Sequence, residues 1–332
     1  MSGTQRRHGV KRVRRAECRK AGHQKGNMAS PLFTQEQMEV SNRAFQLQLE
    51  NRPQVPDPRD VIPLCVPMKF NNHRRGQFKI VKETSKKFPV ATMRHAFMYG
   101  VKPLTLEFAK PATFHRLTKG KGEDVLTSDV PQEVYTQYIE FHKAHGNVLV
   151  GGLGLGMAAT MIKKLPGVRT VTVVEIEPKI ISLVQEQLPS GIEVIQGDLY
   201  EYLKSPLQGS VIGKYDFAYH DIWYRTGEGT WVEHIVPLAR LTRKAGINET
   251  GFWGEQEMKG QLISSLYQRT YGDEEYSQWK PYWVFRQGVK KTLGEGPYTK
   301  KHEPEVLRLI HLYIDEIGTP EWEKTFPWDE FK

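Results

Sequence analysis

Cysteine is nearly absent from this 332-residue chain, whose only two cysteines are Cys18 and Cys65. Two such distant cysteines cannot build a disulfide framework, so small disulfide-stabilised folds are excluded and a reducing, cytoplasmic setting is expected. The chain also lacks the run of about 18 uninterrupted apolar residues that a membrane-spanning helix requires. No apolar stretch follows the charged N-terminus, so we expect neither a signal peptide nor a membrane partner.

Outside its first residues the chain carries almost no net charge. The total is +9, yet nine of the 47 Lys and Arg side chains and only one acid lie in residues 1–26. The remainder is therefore close to neutral. A basic segment of this kind is typical of phosphate-binding arms, so residues 6–25 are a candidate contact for nucleic acid. A disordered, solubilising extension is the alternative interpretation, and both stay open.

Clusters with the spacing of metal ligands are also missing. His142 and His145 share one face of a predicted helix, but neither an acid nor a thiolate accompanies them in the pattern. We therefore predict no metal site. No Ser-His-Asp or Cys-His arrangement is recognisable either, which argues against nucleophilic hydrolases.

From residue 147 onward, short apolar runs alternate with helical periodicity. Met157, Met161 and Leu165 recur every four residues, as on one face of a helix. The predicted strands around such helices cover residues 148–150, 171–174, 192–195 and 215–219. Strands and helices alternating at this spacing predict an α/β fold with a doubly wound, mostly parallel, Rossmann-like sheet.

A glycine-rich segment, Gly151-Gly152-Leu153-Gly154-Leu155-Gly156, joins the first of these strands to its helix. Parallel sheets bind ligands at this end, where glycines let backbone amides approach and the helix offers free N–H groups. Glu175 ends the second strand, 19 residues after Gly156, where an acid can accept both hydroxyls of a ribose. Asp198 follows the third strand and can accept the amino group of adenine, with Leu199 flanking the ring. The segment therefore predicts a nucleotide site.

The glycine spacing separates two nucleotide cofactors. A dinucleotide fingerprint read from Gly152 requires Gly or Ala at the position of Met157. The observed order is instead Gly-x-Gly-x-Gly, which is the methyltransferase form and leaves less room for a pyrophosphate. The pattern thus favours S-adenosylmethionine over NAD.

Residues 147–245 resemble class I S-adenosylmethionine-dependent methyltransferases, and within them the spermidine-synthase-like branch. Besides the glycine-rich segment, the resemblance rests on Val174-Glu175-Ile176-Glu177, on Gly197-Asp198 and on the strand ending at Asp221. The flanking Ser128-Asp129-Val130-Pro131 and Asp221-Ile222-Trp223 also look like uncharacterised methyltransferase-like proteins of bacteria and their phages. The resemblance implies that Gly152, Gly154 and Gly156 lie beside the methionine part, Glu175 at the ribose, and Asp198 at the adenine with Leu199 flanking the ring. Leu153 and Ile176 are further predicted cofactor-binding residues.

The strand end His220-Asp221-Ile222-Trp223-Tyr224 faces the reacting atom in the resembled families. Spermidine synthases carry two acids there; Asp221 matches the first, whereas Tyr224 replaces the second. Enzymes that methylate amino groups of nucleic-acid bases carry an acid or Asn, two prolines and an aromatic, and the prolines are missing here. The predicted catalytic residues are Asp221, as acceptor for a target amine, and Trp223 or Tyr224, which can stack on a flat substrate. Trp223 packing beneath the next helix is the alternative.

Three functions remain open at this point. The leading one is a methyltransferase that uses S-adenosylmethionine, with a nucleic acid or nucleobase-like substrate. The second is an aminopropyltransferase, which uses the decarboxylated cofactor. The third is a non-catalytic methyltransferase-like module anchored by its basic tail. No pattern indicates the oligomeric state.

The remaining sequence suggests flanking regions around the α/β part. Thr34 and Gln37 predict a capping box that starts a helix, and residues 76–127 are rich in strand formers. Beyond Gly246, residues 282–285 look like a strand and residues 305–317 like an amphipathic helix, so either irregular strands or a helical cap follow. The predicted divisions are a basic disordered tail (1–28), a helix plus a small β region (29–128), a cofactor-binding domain (129–250) and a mainly helical extension (251–332).

Overall fold

A computed structural model describes residues 34–120, 124–204, 211–271 and 280–317 of the chain. The basic segment over residues 6–25 lies outside the described residues. Its nucleic-acid contact therefore stays a prediction. The described residues include no helix that is both long and apolar enough to cross a bilayer.

The N-terminal part pairs one long helix with an antiparallel sheet. Helix α1 (Gln35–Glu50) begins at the predicted capping box, where the side chains of Thr34 and Gln37 each bond the other residue's backbone N–H. A 3₁₀ helix over Pro58–Leu64 and helix α2 (Met93–Tyr99) flank the sheet. Its strands are hydrogen-bonded in chain order: β1 (Arg74–Arg75), β2 (Phe78–Ala91), β3 (Leu104–Lys119) and β4 (Asp124–Ser128).

Helix α3 (Pro131–Phe141) connects this antiparallel sheet to the α/β part. Pro131 occupies its first turn, where a missing N–H costs no hydrogen bond. Its apolar face buries Val134, Ile139 and Phe141 against strands of both sheets. The helix therefore lies between the two sheets. Its polar side chains lie close to the place where a ligand between the sheets would bind.

A five-stranded parallel sheet forms the centre of the α/β part. Val148 and Val150 face one hydrophobic cluster and Leu149 faces the other, so both faces of the sheet are buried as in a doubly wound fold. The strand order across the sheet is β7-β6-β5-β8-β9. The strands are β5 (Gly146–Gly151), β6 (Val168–Glu175), β7 (Ile192–Gln196), β8 (Phe217–His220) and β9 (Glu249–Phe252). The α/β, doubly wound prediction is confirmed.

Helices connect these strands and cover the sheet. They are α4 (Met157–Lys163), α5 (Pro178–Val184), α6 (Leu199–Lys204), α7 (Glu228–Thr230) and α8 (Val236–Lys244). A 3₁₀ turn over Gln185–Gln187 follows α5, and a π-helical turn over Trp231–Ile235 joins α7 to α8. The strand order reverses direction between β5 and β8, which creates a crevice at their carboxyl ends.

Helices follow the last strand in the described part of the chain. They are α9 (Glu255–Tyr271), α10 (Lys280–Leu293) and α11 (Glu303–Ile317), the last of them preceded by a 3₁₀ turn over Lys300–His302. The predicted strand at residues 282–285 is wrong, because these residues lie inside α10. Tyr282, Phe285 and Val289 are spaced three and four apart and are all buried, which is a helical face. Strand β9 extends two residues beyond the predicted division at residue 250.

Candidate functional site

The glycine-rich loop leaves β5 at the crevice and passes very close to the end of β8. Gly152 donates its N–H to the carbonyl oxygen of Val174 (2.9 Å) and has a φ of +90°. A Cβ added to Gly152 would lie 2.3 Å from the carbonyl oxygen of Asp221. Gly154 has a φ of +52°, and its Cβ would lie 2.9 Å from the Thr127 side chain. Only glycine fits these two positions, so the loop exposes bare backbone to the crevice.

Gly156 differs from the other glycines of the loop. It is the N-cap of α4, with a φ of +75°, and a Cβ there would lie 2.4 Å from the Leu188 side chain. It does not border the cavity described below. Its position explains close packing of α4 against the segment after α5, while its predicted cofactor contact stays a prediction.

Glu175 ends β6 and holds the loop in place. Its Oε2 accepts the N–H of Leu153 and its Oε1 accepts the N–H of Glu177, both at 2.8 Å. The side chain is only 6% exposed in total. Each carboxylate oxygen has a second lone pair, so two further donors such as vicinal hydroxyls can still be accepted.

Asp198 follows β7 and starts helix α6. Its Oδ1 accepts the N–H groups of Tyr200 (2.7 Å) and Glu201 (3.2 Å), which is the geometry of an N-cap. Leu199 beside it is buried, whereas Ile176 at the end of the neighbouring strand is 64% exposed. An apolar surface with one carboxylate at its edge therefore lies next to Glu175.

These strand ends enclose a cavity of about 410 Å³, within the range of small-molecule sites. Ten of the eleven residues predicted as site residues line it: Gly152, Leu153, Gly154, Glu175, Ile176, Asp198, Leu199, Asp221, Trp223 and Tyr224. The antiparallel sheet contributes the opposite wall, through Phe78, Leu117, Lys119, Leu126 and Thr127. The small β region thus covers the cavity.

Asp221 lies directly after β8, with its backbone N–H bonded to the carbonyl oxygen of Gly151 (2.9 Å). The side-chain amide of Gln137 donates to its Oδ2 at 3.2 Å. Burial raises the pKa of the Asp221 carboxyl well above its ordinary value, and the neighbouring Glu133 carboxylate raises it further. The folded protein therefore favours the protonated form of the Asp221 carboxyl beside the glycine loop.

Sequence reasoning did not identify Glu133 and Gln137 as part of this site. They are four residues apart on α3, so both side chains point to the same side of the helix. Burial raises the pKa of Glu133, although the hydroxyls of Ser128 and Thr127 oppose the shift by donating to its carboxylate. Two polar residues at helical spacing beside the apolar face of α3 were the available signal.

The two aromatic candidates after Asp221 have different environments. Trp223 is 7% exposed, and its indole N–H donates to the carbonyl oxygen of Trp253 (3.2 Å). Tyr224 is 65% exposed at the mouth of the cavity, and the Lys119 ammonium lies 6.0 Å from its ring centre. Trp223 is therefore held in the protein interior at the cavity wall, and both predictions for it stay open, while Tyr224 presents an exposed aromatic face.

Lys119 lines the cavity beside Tyr224, and four further cations lie on the neighbouring strands and on α5. Strand pairing places Arg74 opposite Lys79, and Phe78 opposite Lys119. The Lys179 side chain of α5 reaches the turn between β1 and β2, where a Cβ on Gly76 would lie 3.1 Å from it. We call this group the cationic rim; it consists of Arg74, Arg75, Lys79, Lys119 and Lys179. Within the described part of the chain, none of its members forms a salt bridge.

Metal-binding groups are not assembled in the described residues, which contain no cluster of three His, Cys, Asp or Glu side chains. The Nδ1 atoms of His142 and His145 lie within hydrogen-bond distance of the carbonyl oxygens of Ile139 and Lys143. These contacts are local to the end of α3.

No protein-family model and no curated protein matches the chain. Among solved structures, it is similar to a Streptococcus mutans protein provisionally classed as an S-adenosylmethionine-dependent methyltransferase (14% identity, 61% of this chain and 50% of that chain, TM-score 0.33). It is also similar to an S-adenosylmethionine-dependent methyltransferase of Mesorhizobium loti (19%, 33% and 45%, 0.24). A third is protein arginine methyltransferase 10 of Arabidopsis thaliana (17%, 51% and 47%, 0.25).

The chain spans about half of the length of each of these structures. Likenesses this distant assign neither an activity nor a substrate. The fold assignment rests on the strand order and the parallel register, and the site assignment rests on the geometry of the glycine loop and the residues facing it.

Proposed function

We propose that this protein is a methyltransferase of class I that binds S-adenosylmethionine in the cavity beside the glycine loop. The observation that carries the proposal is the bare backbone at Gly152 and Gly154, which faces the carboxylate of Glu175. In this assignment Glu175 receives the ribose hydroxyls, and Asp198 with Leu199 receives the adenine. The cofactor supplies a methyl group that is already activated by its sulfonium centre, so the protein has mainly to position the acceptor.

The acceptor that we propose is a nucleic acid or a nucleobase-like molecule. The cationic rim offers positive charge for phosphates, with Lys119 in the cavity lining and the other cations on the neighbouring strands and on α5. Tyr224 offers an exposed aromatic face for a base beside Lys119. Asp221 then lies deeper, where it can accept an N–H of the target.

An aminopropyltransferase of the spermidine-synthase type has less support. A polyamine carries several positive charges and requires more than one carboxylate along its path. Tyr224 stands at the second acidic position, and Glu133 does not line the cavity. A non-catalytic module anchored by the basic tail depends on residues outside the described part, so it remains a prediction from the sequence.

Removal of either carboxylate assigned to the cofactor should abolish binding of S-adenosylmethionine. We expect Glu175→Ala and Asp198→Ala each to weaken binding roughly 30-fold or more, equivalent to about 2 kcal/mol. Isothermal titration calorimetry of the full chain with S-adenosylmethionine measures this directly. Thermal melting of each variant separates loss of the ligand contacts from loss of the fold.

Glu186→Ala provides the matched control, because Glu186 is exposed after α5 and does not line the cavity. This variant should bind S-adenosylmethionine like the wild type. If the wild-type chain does not bind the compound, or if Glu175→Ala and Asp198→Ala bind it unchanged, the proposed cofactor site is wrong.

Binding of single-stranded nucleic acid should depend on the mouth of the cavity. We expect Tyr224→Ala and Lys119→Ala each to weaken binding of a fluorescein-labelled oligonucleotide about fivefold, since one stacked base contributes roughly 1–3 kcal/mol. Fluorescence anisotropy at several salt concentrations measures the affinity and the phosphate contribution. Lys86→Ala, an exposed lysine elsewhere on β2, should change little. Equal losses in all three variants would show that the mouth has no special role.

A further inference from the structure

Two buried polar groups at the inner end of the cavity have no partner. Gln137 is 2% exposed and Tyr219 is fully buried, and both line the cavity next to Asp221. The Oε1 atom of Gln137 and the hydroxyl of Tyr219 lack hydrogen bonds among the described residues. Leaving such a group unpaired is unfavourable, so a ligand group that pairs with both would bind more tightly for it.

The orientation of the Gln137 amide follows from its two carboxyl neighbours. Its Nε2 donates to Oδ2 of Asp221 (3.2 Å) and lies 3.5 Å from Oε1 of Glu133. The amide nitrogen is thus held on the carboxyl side, and Oε1 remains as an acceptor without a donor.

Glu133 is itself fixed by the antiparallel sheet. Its Oε1 accepts the hydroxyl of Thr127 (2.6 Å), and its Oε2 accepts the hydroxyl of Ser128. Both hydroxyls belong to β4, so the sheet that covers the cavity also orients Gln137 through Glu133. We regard Glu133 as a positioning residue, since it does not line the cavity.

The hydrogen-bond donors and acceptors at the inner end of the cavity determine which ligand groups can bind there. Gln137 offers an acceptor only, whereas the Asp221 carboxyl, whose protonated form is favoured by burial, and the Tyr219 hydroxyl can each donate or accept. An amino group with two N–H bonds satisfies two acceptors, and a ring nitrogen beside it can accept from a hydroxyl. A carbonyl group in place of the amino group would put its oxygen against Oε1 of Gln137. Both atoms are acceptors, so no hydrogen bond could form between them.

On the basis of the proposed function, we propose that Gln137, Tyr219 and Asp221 form the acceptor subsite, and that it binds the exocyclic amino edge of adenine or cytosine. Leu117, Leu126 and Phe78 supply apolar surface on the opposite wall, which suits a flat neutral ring. A polyamine fits less well, because burial and Glu133 raise the pKa of Asp221 and so disfavour the negative charge that would balance an ammonium group.

Nucleosides that differ only at this edge test the subsite. The probes are cytidine against uridine and adenosine against inosine, each titrated by calorimetry into the full chain with saturating S-adenosylhomocysteine. We expect cytidine or adenosine to bind about tenfold more tightly than its carbonyl counterpart, since one mismatched buried hydrogen bond costs about 1.4 kcal/mol. Binding of S-adenosylhomocysteine itself is recorded in the same experiment, so failure of the cofactor site is recognised separately and the titrations are then run without it.

Tyr219→Phe removes only the unpartnered hydroxyl. It should weaken binding of the preferred nucleoside about fivefold while the melting temperature stays equal or rises, because no hydrogen bond inside the protein is lost. Tyr202→Phe is the matched control: its hydroxyl bonds that of Tyr215 (2.7 Å), so the control should lower the melting temperature and leave nucleoside binding unchanged. Gln137→Met should remove the preference for the amino-bearing nucleoside.

Three results would overturn the subsite. They are equal affinity for amino and carbonyl nucleosides, tighter binding of spermidine than of any nucleoside, and no binding by any of the four. Unchanged nucleoside affinity in both Tyr219→Phe and Gln137→Met would overturn it as well.

Discussion

Gly152→Ala should abolish binding of S-adenosylmethionine and lower the melting temperature by several degrees. The new Cβ would lie 2.3 Å from the backbone oxygen of Asp221, which cannot rotate away as a side chain can. The φ of +90° adds strain of roughly 1–3 kcal/mol for any residue with a side chain. Relief requires movement of the loop or of the β8 end, and both belong to the proposed cofactor site. Calorimetry with S-adenosylmethionine should show binding weakened roughly 100-fold or more.

Gly167→Ala separates backbone strain from the steric contact. Gly167 has a similar φ of +85°, but no atom lies within 4 Å of a Cβ placed there. This control should lose some stability and keep full affinity for S-adenosylmethionine. If Gly152→Ala binds the compound as tightly as Gly167→Ala does, the glycine loop does not hold the cofactor.

Asp221→Asn should stabilise the protein at pH 8 while it removes most methyl transfer. The folded state raises the pKa of Asp221, so the unfolded chain, with an ordinary pKa near 4, releases this proton first as the pH rises. The wild type therefore loses stability from about pH 4 upward, through the pKa of the folded state. Asparagine cannot ionise, so we expect a gain of roughly 1–3 kcal/mol at pH 8 and no gain near pH 4. Proton transfer by such a group typically contributes 10²–10⁴-fold to a rate.

Thermal melting of wild type and Asp221→Asn between pH 4 and pH 9 measures the first effect, and transfer of tritiated methyl groups to single-stranded nucleic acid measures the second. Asp216→Asn is the control, because Asp216 is half-exposed and pairs with Arg169 (2.8 Å) at the other end of β8. It should not gain stability at high pH. A pH-independent difference between wild type and Asp221→Asn would mean that Asp221 is already ionised without cost.

Local patterns were enough to predict which residues of the glycine loop and of the β6 and β7 strand ends line the cavity. The glycine loop, Glu175 and Asp198 each lie at the end of a strand. The ends of these strands can be recognised in the sequence because each strand is a short apolar run. Parallel strands bring these ends to one edge of the sheet. The parallel arrangement alone therefore predicts that these residues lie close together, although they are far apart in sequence.

The contact between Gln137 and Asp221 could not be predicted in the same way. Gln137 and Asp221 are 84 residues apart in sequence, and their hydrogen bond depends on how α3 packs between the two sheets. The error at residues 282–285 has a related cause. A run of four apolar residues fits a strand as well as a buried helix, and only the packing of α10 decides between them.

The covering sheet touches the glycine loop directly, since Thr127 of β4 fills the space above Gly154, and the β1–β2 turn rests on Lys179 of α5. Residues of the antiparallel sheet and of the α/β part therefore line the same cavity. A small molecule held there contacts both, so its binding free energy adds to the free energy that keeps the sheets together. Occupancy of the cavity and separation of the two sheets are then thermodynamically linked: a ligand that contacts both sheets stabilises the arrangement in which they are packed together.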